Sequence, residues 1–133
     1  MSDTANQPAG SVSKIECLAE FSGGGLVKWS MYRHLAPLTV NAILRVLPLD
    51  SRVSLQPPVV SIFTPLRVGV EKPKKKLSAG EVAYLPSAAL ICIFLKDSTS
   101  ERPLNPLGNI ESGLESLENI RPGNVVRLRQ ATR

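Results

Sequence analysis

The stretch LGNIESGLESLENIRPG, Leu107 to Gly123, reads as the end of a strand, one short helix and a sharp turn into another strand. Leu107–Glu111 has strand character. Ser112-Gly113-Leu114-Glu115 fits a capping box, S-x-x-E, in which the serine hydroxyl takes an orphan helix N–H and the glutamate reaches back to the N-cap N–H. Leu114 and Leu117, extended by Ile120, give the helix one apolar side. A helix of about two turns is not stable alone, so something apolar must lie beneath it, most simply the open end of a barrel. Arg121-Pro122-Gly123-Asn124 places proline and glycine as a type II turn requires. NVVRLRQ then points Val126 and Leu128 one way and Arg127 and Arg129 the other.

Working outward, the rest of the chain supplies strands and one longer helix. SKIECLAEF alternates, with Ile15, Cys17, Ala19 and Phe21 on one face, as in a half-buried strand. The three glycines of SGGGLVKWSM make a hairpin turn, and a second strand begins near Leu26. A phosphate-cradling loop is the alternative, but strand residues follow and no Lys-Ser/Thr pair closes the motif, so the plain turn is favoured. APLTVNAILRVLP predicts a helix with Val40, Ile43, Leu44 and Leu47 in one stripe, Pro37 at its start and Pro48 at its stop. Thr39, Asn41 and Arg45 lie off the stripe and are expected in solvent. DSRVSLQ, VVSIF and LRVGV read as short strands separated by Pro57-Pro58 and Thr64-Pro65. EKPKKKLSAG reads as an exposed loop. EVAYLPSAALICIFLK holds two strands around a Pro86-Ser87 turn, and its second, Leu90–Leu95, is apolar on both faces and expected to be central. DSTSERPLNP reads as a polar, proline-bearing loop. Roughly eight short strands without βαβ alternation argue an antiparallel barrel capped by two short helices.

Composition fits that reading. The chain has 133 residues, 43% of them hydrophobic, which suits one core. Residues 1–13, MSDTANQPAGSVS, are polar and lack the basic and apolar regions of a secretory signal, so they are expected to form a frayed arm before a barrel domain over 14–133. No apolar run is long enough to span a bilayer, and a cytoplasmic protein is expected. Cys17 and Cys92 sit in apolar segments and read as reduced, structural thiols. With two cysteines, no CxxC and one histidine, no metal site and no cofactor is expected. Net charge is +5, and its excess concentrates in KPKKK, Lys72–Lys76.

The layout resembles the cyclophilin barrel, eight antiparallel strands with two capping helices in these two places. Gly108, Ile110, Gly113, Leu114 and Leu117 match the cyclophilin pattern G-x-[IV]-x-x-G-[LM]-x-x-[LV]. The chain is also similar to a small archaeal and bacterial family of cyclophilin-like proteins of unknown function. Its P-x-T-x-x-A-[IL]-L-x-x-LP is met by Pro37, Thr39, Ala42, Ile43, Leu44, Leu47 and Pro48. Its G-[DE]-V-A-Y-x-P followed by C-[IL]-F is met by Gly80–Tyr84, Pro86 and Cys92–Phe94. The resemblance spans Lys14 to Arg129. Where that family carries W-G-[DE]-E-[IV]-Y-F, this chain has QPPVVSIF, Gln56 to Phe63, without the Trp-Gly or either acid.

Cyclophilins are prolyl isomerases, and the resemblance raises that activity as an expectation to weigh. The X–Pro flip faces a barrier of ~18–20 kcal/mol set by amide conjugation. An arginine donating toward the prolyl nitrogen, beside an apolar pocket for the ring, would lower it. Of the pattern F-H-R-x-x-x-x-F-x-x-Q-x-G-D this chain keeps Arg52, with Pro57 and Val60 in place of the phenylalanine and glutamine. Phe94 matches the pocket phenylalanine of the S-Q-F-F-I strand. The plainer reading makes Arg52 a solvated strand-end residue and Phe94 core, and it is favoured for both, since fold alone does not carry activity.

Other candidates are weaker. His34 has no paired carboxylate or nucleophile at a readable spacing. Ser51, Ser54 and Ser61 lack a G-x-S-x-G context. Trp29 and Tyr32 are expected to pack the barrel. Lys72, Lys74, Lys75 and Lys76, with Arg127, Arg129 and Arg133, could contact phosphates. Only 5% of residues are aromatic and none interleaves the run, so a solvated loop is the usual meaning and nucleic-acid binding the lesser one. The sequence therefore favours a peptide- or protein-segment-binding module without strong catalysis. Its groove would lie between DSRVSLQPP and the Tyr84–Phe94 hairpin, with Phe94, Ile62, Tyr84 and Pro86 as groove residues. A weak isomerase using Arg52, and anion binding through the lysine run, are the alternatives.

Overall fold

The computed structural model describes residues 14–131. The arm read over residues 1–13, and Arg133, lie outside them. The chain runs β1 (Lys14–Phe21), β2 (Leu26–Tyr32), α1 (Pro37–Val46), β3 (Leu49–Gln56), β4 (Val59–Phe63), β5 (Lys74–Leu77), β6 (Glu81–Leu85), β7 (Leu90–Phe94), β8 (Ser98–Ser112), a 3-10 helix (Leu114–Asn119) and β9 (Val125–Gln130). All pairings are antiparallel. The order β2-β1-β9-β3-β4-β7-β6-β8, with β8 also paired to β2, closes an eight-stranded barrel. β5 is a ninth strand, attached outside the closure to the first part of β8.

Strand alternation fills the barrel. Ile15, Cys17, Ala19 and Phe21 of β1 are buried while Lys14, Glu16 and Glu20 are exposed. Val126 and Leu128 of β9 are likewise inside and Arg127 outside. Each large side chain so buried contributes roughly 1.5–3 kcal/mol. β7 is central, between β4 and β6, as its two-sided apolarity requires. The glycine run is a plain hairpin, with Gly23 and Gly24 at positive φ and Phe21 and Gly25 paired across it. Cys17 points into the barrel and Cys92 lies on its outer side; both are free and buried.

Several local expectations are corrected. The 3-10 helix has no capping box. Its N-cap is Gly113, at φ +93°, and no side chain caps it. A Cβ at Gly113 would lie 2.3 Å from the Leu26 carbonyl oxygen, so glycine is what fits at this N-cap, and Ser112 stands one residue before it. Ser116 instead donates its hydroxyl to the Gly113 carbonyl at 2.7 Å. The type II turn is as read, with Gly123 at φ +84° and the Asn124 N–H donating to the Arg121 carbonyl.

LRVGV is not a strand. Residues 64–70 run without ladder pairing. Their anchors are side chains instead: Asn105 donates to the Gly69 carbonyl and accepts from the Glu71 N–H. Thr39 is not solvated either. It is fully buried, donating to Glu71 and accepting from Asn105. Lys74–Leu77 is strand rather than loop, and so is most of DSTSERPLNP, which opens the 15-residue β8. Proline is tolerated there because Pro106 sits opposite Ala83, beside a register shift where the ladder is already interrupted.

Candidate functional site

Three cross-strand rows cover the outer face of β3, β4, β7 and β6. One row is Ser54–Ser61–Cys92–Ala83, and the next, on one side, is Gln56–Val59–Phe94. On the other side Phe63 pairs with Leu90 and Leu90 with Leu85. Arg52 lies one step beyond the Val53–Ile62 pair, beside Phe63. Most of this face is apolar, and the first part of β8 overhangs it. Leu104 of β8 and Leu77 of β5 pack onto Ala83, Leu85, Cys92 and Phe94, a second small core outside the barrel wall. The Arg102 guanidinium ties the overhang to the β6–β7 turn, donating to the Ser87 hydroxyl at 3.0 Å.

Between overhang and sheet runs a groove of about 590 Å³. Leu85, Leu90, Cys92 and Phe94 supply its floor, Gln56, Pro57 and Pro58 one wall, and Ser98–Arg102 the other. Its volume falls within the range of small-ligand sites, ~300–1,000 Å³. Ser61 donates its hydroxyl toward the Cys92 sulfur at 3.6 Å. Burial pushes the Cys92 thiol up, opposed by the Ser61 hydroxyl and the charge of Arg102. The thiol stays protonated, so it is a weak nucleophile. Cys17, in the barrel interior, is pushed up to about 12 by burial.

The residues singled out from the sequence do not all meet here. Phe94 lines the groove and is 4% exposed. Ile62 and Tyr84 point into the barrel interior, 1% and 0% exposed. Both are cross-strand neighbours of Ile91. Pro86 lines a separate shallow pocket beside the irregular segment, with Pro65 and Leu66. Arg52 is exposed on the groove's sheet face, but its guanidinium donates to the Gly123 carbonyl at 3.2 Å. It sits in the row of Leu90, four residues from Phe94 along β7. At ~3.3 Å per residue that is ~13 Å along the strand alone, too far for both side chains to hold one proline.

Lys74, Lys75 and Lys76 are exposed on β5, and Lys72 precedes it. Lys74 pairs with Glu81 at 2.8 Å, and Lys72 donates to the His34 carbonyl. His34 is itself exposed, its ring tilted against Tyr32. Trp29 is buried in the barrel, and its indole N–H has no hydrogen-bond partner among the described residues. Among the described residues no cluster of three or more His, Cys, Asp or Glu could hold a metal ion.

Two features escaped the sequence reading. The first is the β8 overhang, whose polar, proline-bearing residues carry no strand signal. The second is a clamp at the α1 end of the barrel. Ala36, the N-cap of α1, has no capping side chain, and Glu71 from the irregular segment takes its place. Its carboxylate accepts the Leu38 N–H at 2.9 Å, the Thr39 N–H at 2.8 Å and the Thr39 hydroxyl at 2.7 Å. Partial burial pushes the Glu71 carboxyl up. The hydrogen bonds from Thr39 and the two amides, with the charge of Lys72, outweigh it and hold the group below the ordinary glutamate range.

A family model described as Cyclophilin-like matches residues 19–129. No curated protein matches the chain in sequence. Among solved structures, the hypothetical protein AF2241 from Archaeoglobus fulgidus is 23% identical, with a TM-score of 0.79 over 94% of this chain and 99% of that one. McbB, solved in complex with tryptophan, is 12% identical, with a TM-score of 0.73 over 88% of this chain and 45% of that one. At these identities both likenesses concern the fold.

Proposed function

The chain belongs to the cyclophilin-like family, and from that premise we propose that it is a binding module that holds an extended peptide or protein segment in the outer groove, without strong catalysis. The observation that carries this reading is the groove itself, with an apolar floor at Leu85, Leu90 and Phe94 and hydroxyls on both sides at Ser54, Ser61 and Ser98–Ser100. Apolar pockets beside polar groups suit alternate side chains of an extended segment and its backbone. Among the described residues the titratable groups on the lining are Cys92, Glu101 and Arg102. The Cys92 thiol is protonated, and no histidine stands beside it to act as a base. The same proposal keeps the protein in the cytoplasm, where buried free thiols persist. No helix among the described residues is long and apolar enough to cross a membrane. Peptides selected from a display library on the intact protein test the reading. They should lose binding to a Leu90→Glu variant, whose half-buried side chain sits on the floor. Peptides that bind the variant equally well would overturn it.

A weak prolyl isomerase is the second reading, favoured by the position of Arg52, exposed beside the half-exposed Phe63 on the same sheet face. A proline-isomerisation assay decides it. Activity lost in Arg52→Ala supports the reading, and a rate equal to the uncatalysed one removes it.

A further inference from the structure

The 3-10 helix end of the barrel holds a second cavity of about 590 Å³, separate from the outer groove. The Pro57-Pro58 turn is the ridge between them, and the Leu95 N–H donating to the Pro58 carbonyl at 2.9 Å closes the ridge from behind. Leu55, Val60, Leu95, Leu117 and Ile120 line the cavity. Val60 and Leu117 are members of the barrel core, so its floor is the core itself. Among the described residues the charged side chains on this lining are Lys96 and Glu118, both exposed. Neither forms an ion pair among the described residues.

An apolar cavity that bears, among the described residues, an unpaired lysine and an unpaired glutamate matches a particular ligand chemistry. A purely apolar molecule would leave both charges unused, and a simple anion would face Glu118. A small zwitterion with an apolar side chain satisfies all three features, its carboxylate toward Lys96, its ammonium toward Glu118 and its side chain among Leu55, Leu117 and Ile120. We propose that this mouth cavity binds a free hydrophobic α-amino acid. The site does not depend on the outer groove, and either reading can fail without the other.

The test uses the intact protein, amide chemical shifts and three probes: L-leucine, N-acetyl-L-leucine and L-leucinamide. L-leucine should shift the amides of Val60, Leu117, Glu118 and Ile120 while leaving Leu90 and Ser100 unmoved. Acetylation removes the ammonium and amidation the carboxylate, and each should weaken binding. Rim charges make the steps modest, roughly two- to fivefold. Glu118→Gln should abolish the penalty for acetylation while keeping that for amidation, and Lys96→Met should do the reverse. Both residues are exposed, so neither substitution threatens folding. No shift at the cavity with millimolar L-leucine would overturn the proposal. So would equal binding of all three probes, or shifts there produced by peptides carrying internal leucine and not by the free amino acid.

Discussion

The two halves of β8 are one strand with opposite duties. From Gly108 to Ser112 it pairs with β2 and closes the barrel. From Ser98 to Leu104 it leaves the wall, pairs with β5 and roofs the groove. The closing half works by backbone contact, since a Cβ at Gly108 would lie 1.8 Å from the Ser30 carbonyl oxygen. The overhanging half works by side-chain packing of Leu77 and Leu104 on Cys92 and Phe94, with Arg102 as latch. Closure therefore belongs to the core of the fold, while the overhang adds one wall of the groove.

Breaking the closing half has the largest expected effect. Gly108→Ala puts a methyl into the Ser30 carbonyl, backbone against backbone, and should destabilise the protein by about 4 kcal/mol or more, read as a urea midpoint shift at constant slope. Breaking the overhang should cost less and stay local. Leu104→Ala removes a fully buried side chain from the small outer core, at about 2–3 kcal/mol. Hydrogen exchange should lose protection at 74–77 and 98–104 and keep it at 26–32. Equal loss in both places would make β8 a single unit and end the comparison.

The clamp at the α1 end comes next. Glu71→Gln removes the charge that caps α1 and should cost about 0.5–2 kcal/mol. The folded Glu71 pKa lies below its unfolded value of about 4.5. Its contribution is therefore complete above that value and is lost as pH falls through the lower folded pKa. The variant should lack that part of the acid-induced loss, so thermal melts of the two proteins should converge at low pH. The smallest effect belongs to the β5 edge. Neutralising Lys72, Lys74, Lys75 and Lys76 should change stability by less than about 0.5 kcal/mol. If the lysines serve an anionic partner, salt-dependent retention on a polyanion column should disappear with them. Unchanged retention would leave them as the charges that keep an exposed strand edge from pairing.

The sequence spoke most clearly where the backbone is constrained. Gly108, Gly113 and Gly123 stand where a close approach or a positive φ admits little else, and the turn at Arg121–Asn124 was readable for that reason. Alternation in β1 and β9 placed the barrel wall. The site was harder to read because its parts are nonlocal. Ser98–Arg102 is polar and looks like a loop, and only pairing with β5 makes it a strand. Thr39 looked solvated because its partners, Glu71 and Asn105, are 32 and 66 residues away. Ile62 and Tyr84 were placed on the groove by their strands, but alternation turns them inward, while Cys92 and Phe94 on β7 face out.

The most direct test of the binding account is an amide chemical-shift map of the intact protein with a display-selected extended peptide. The account predicts shifts at Leu90, Cys92, Phe94 and Ser98–Arg102, along the groove under the overhang, with the barrel interior unmoved. Saturable binding that shifts only residues elsewhere, such as the β5 lysines, would contradict it.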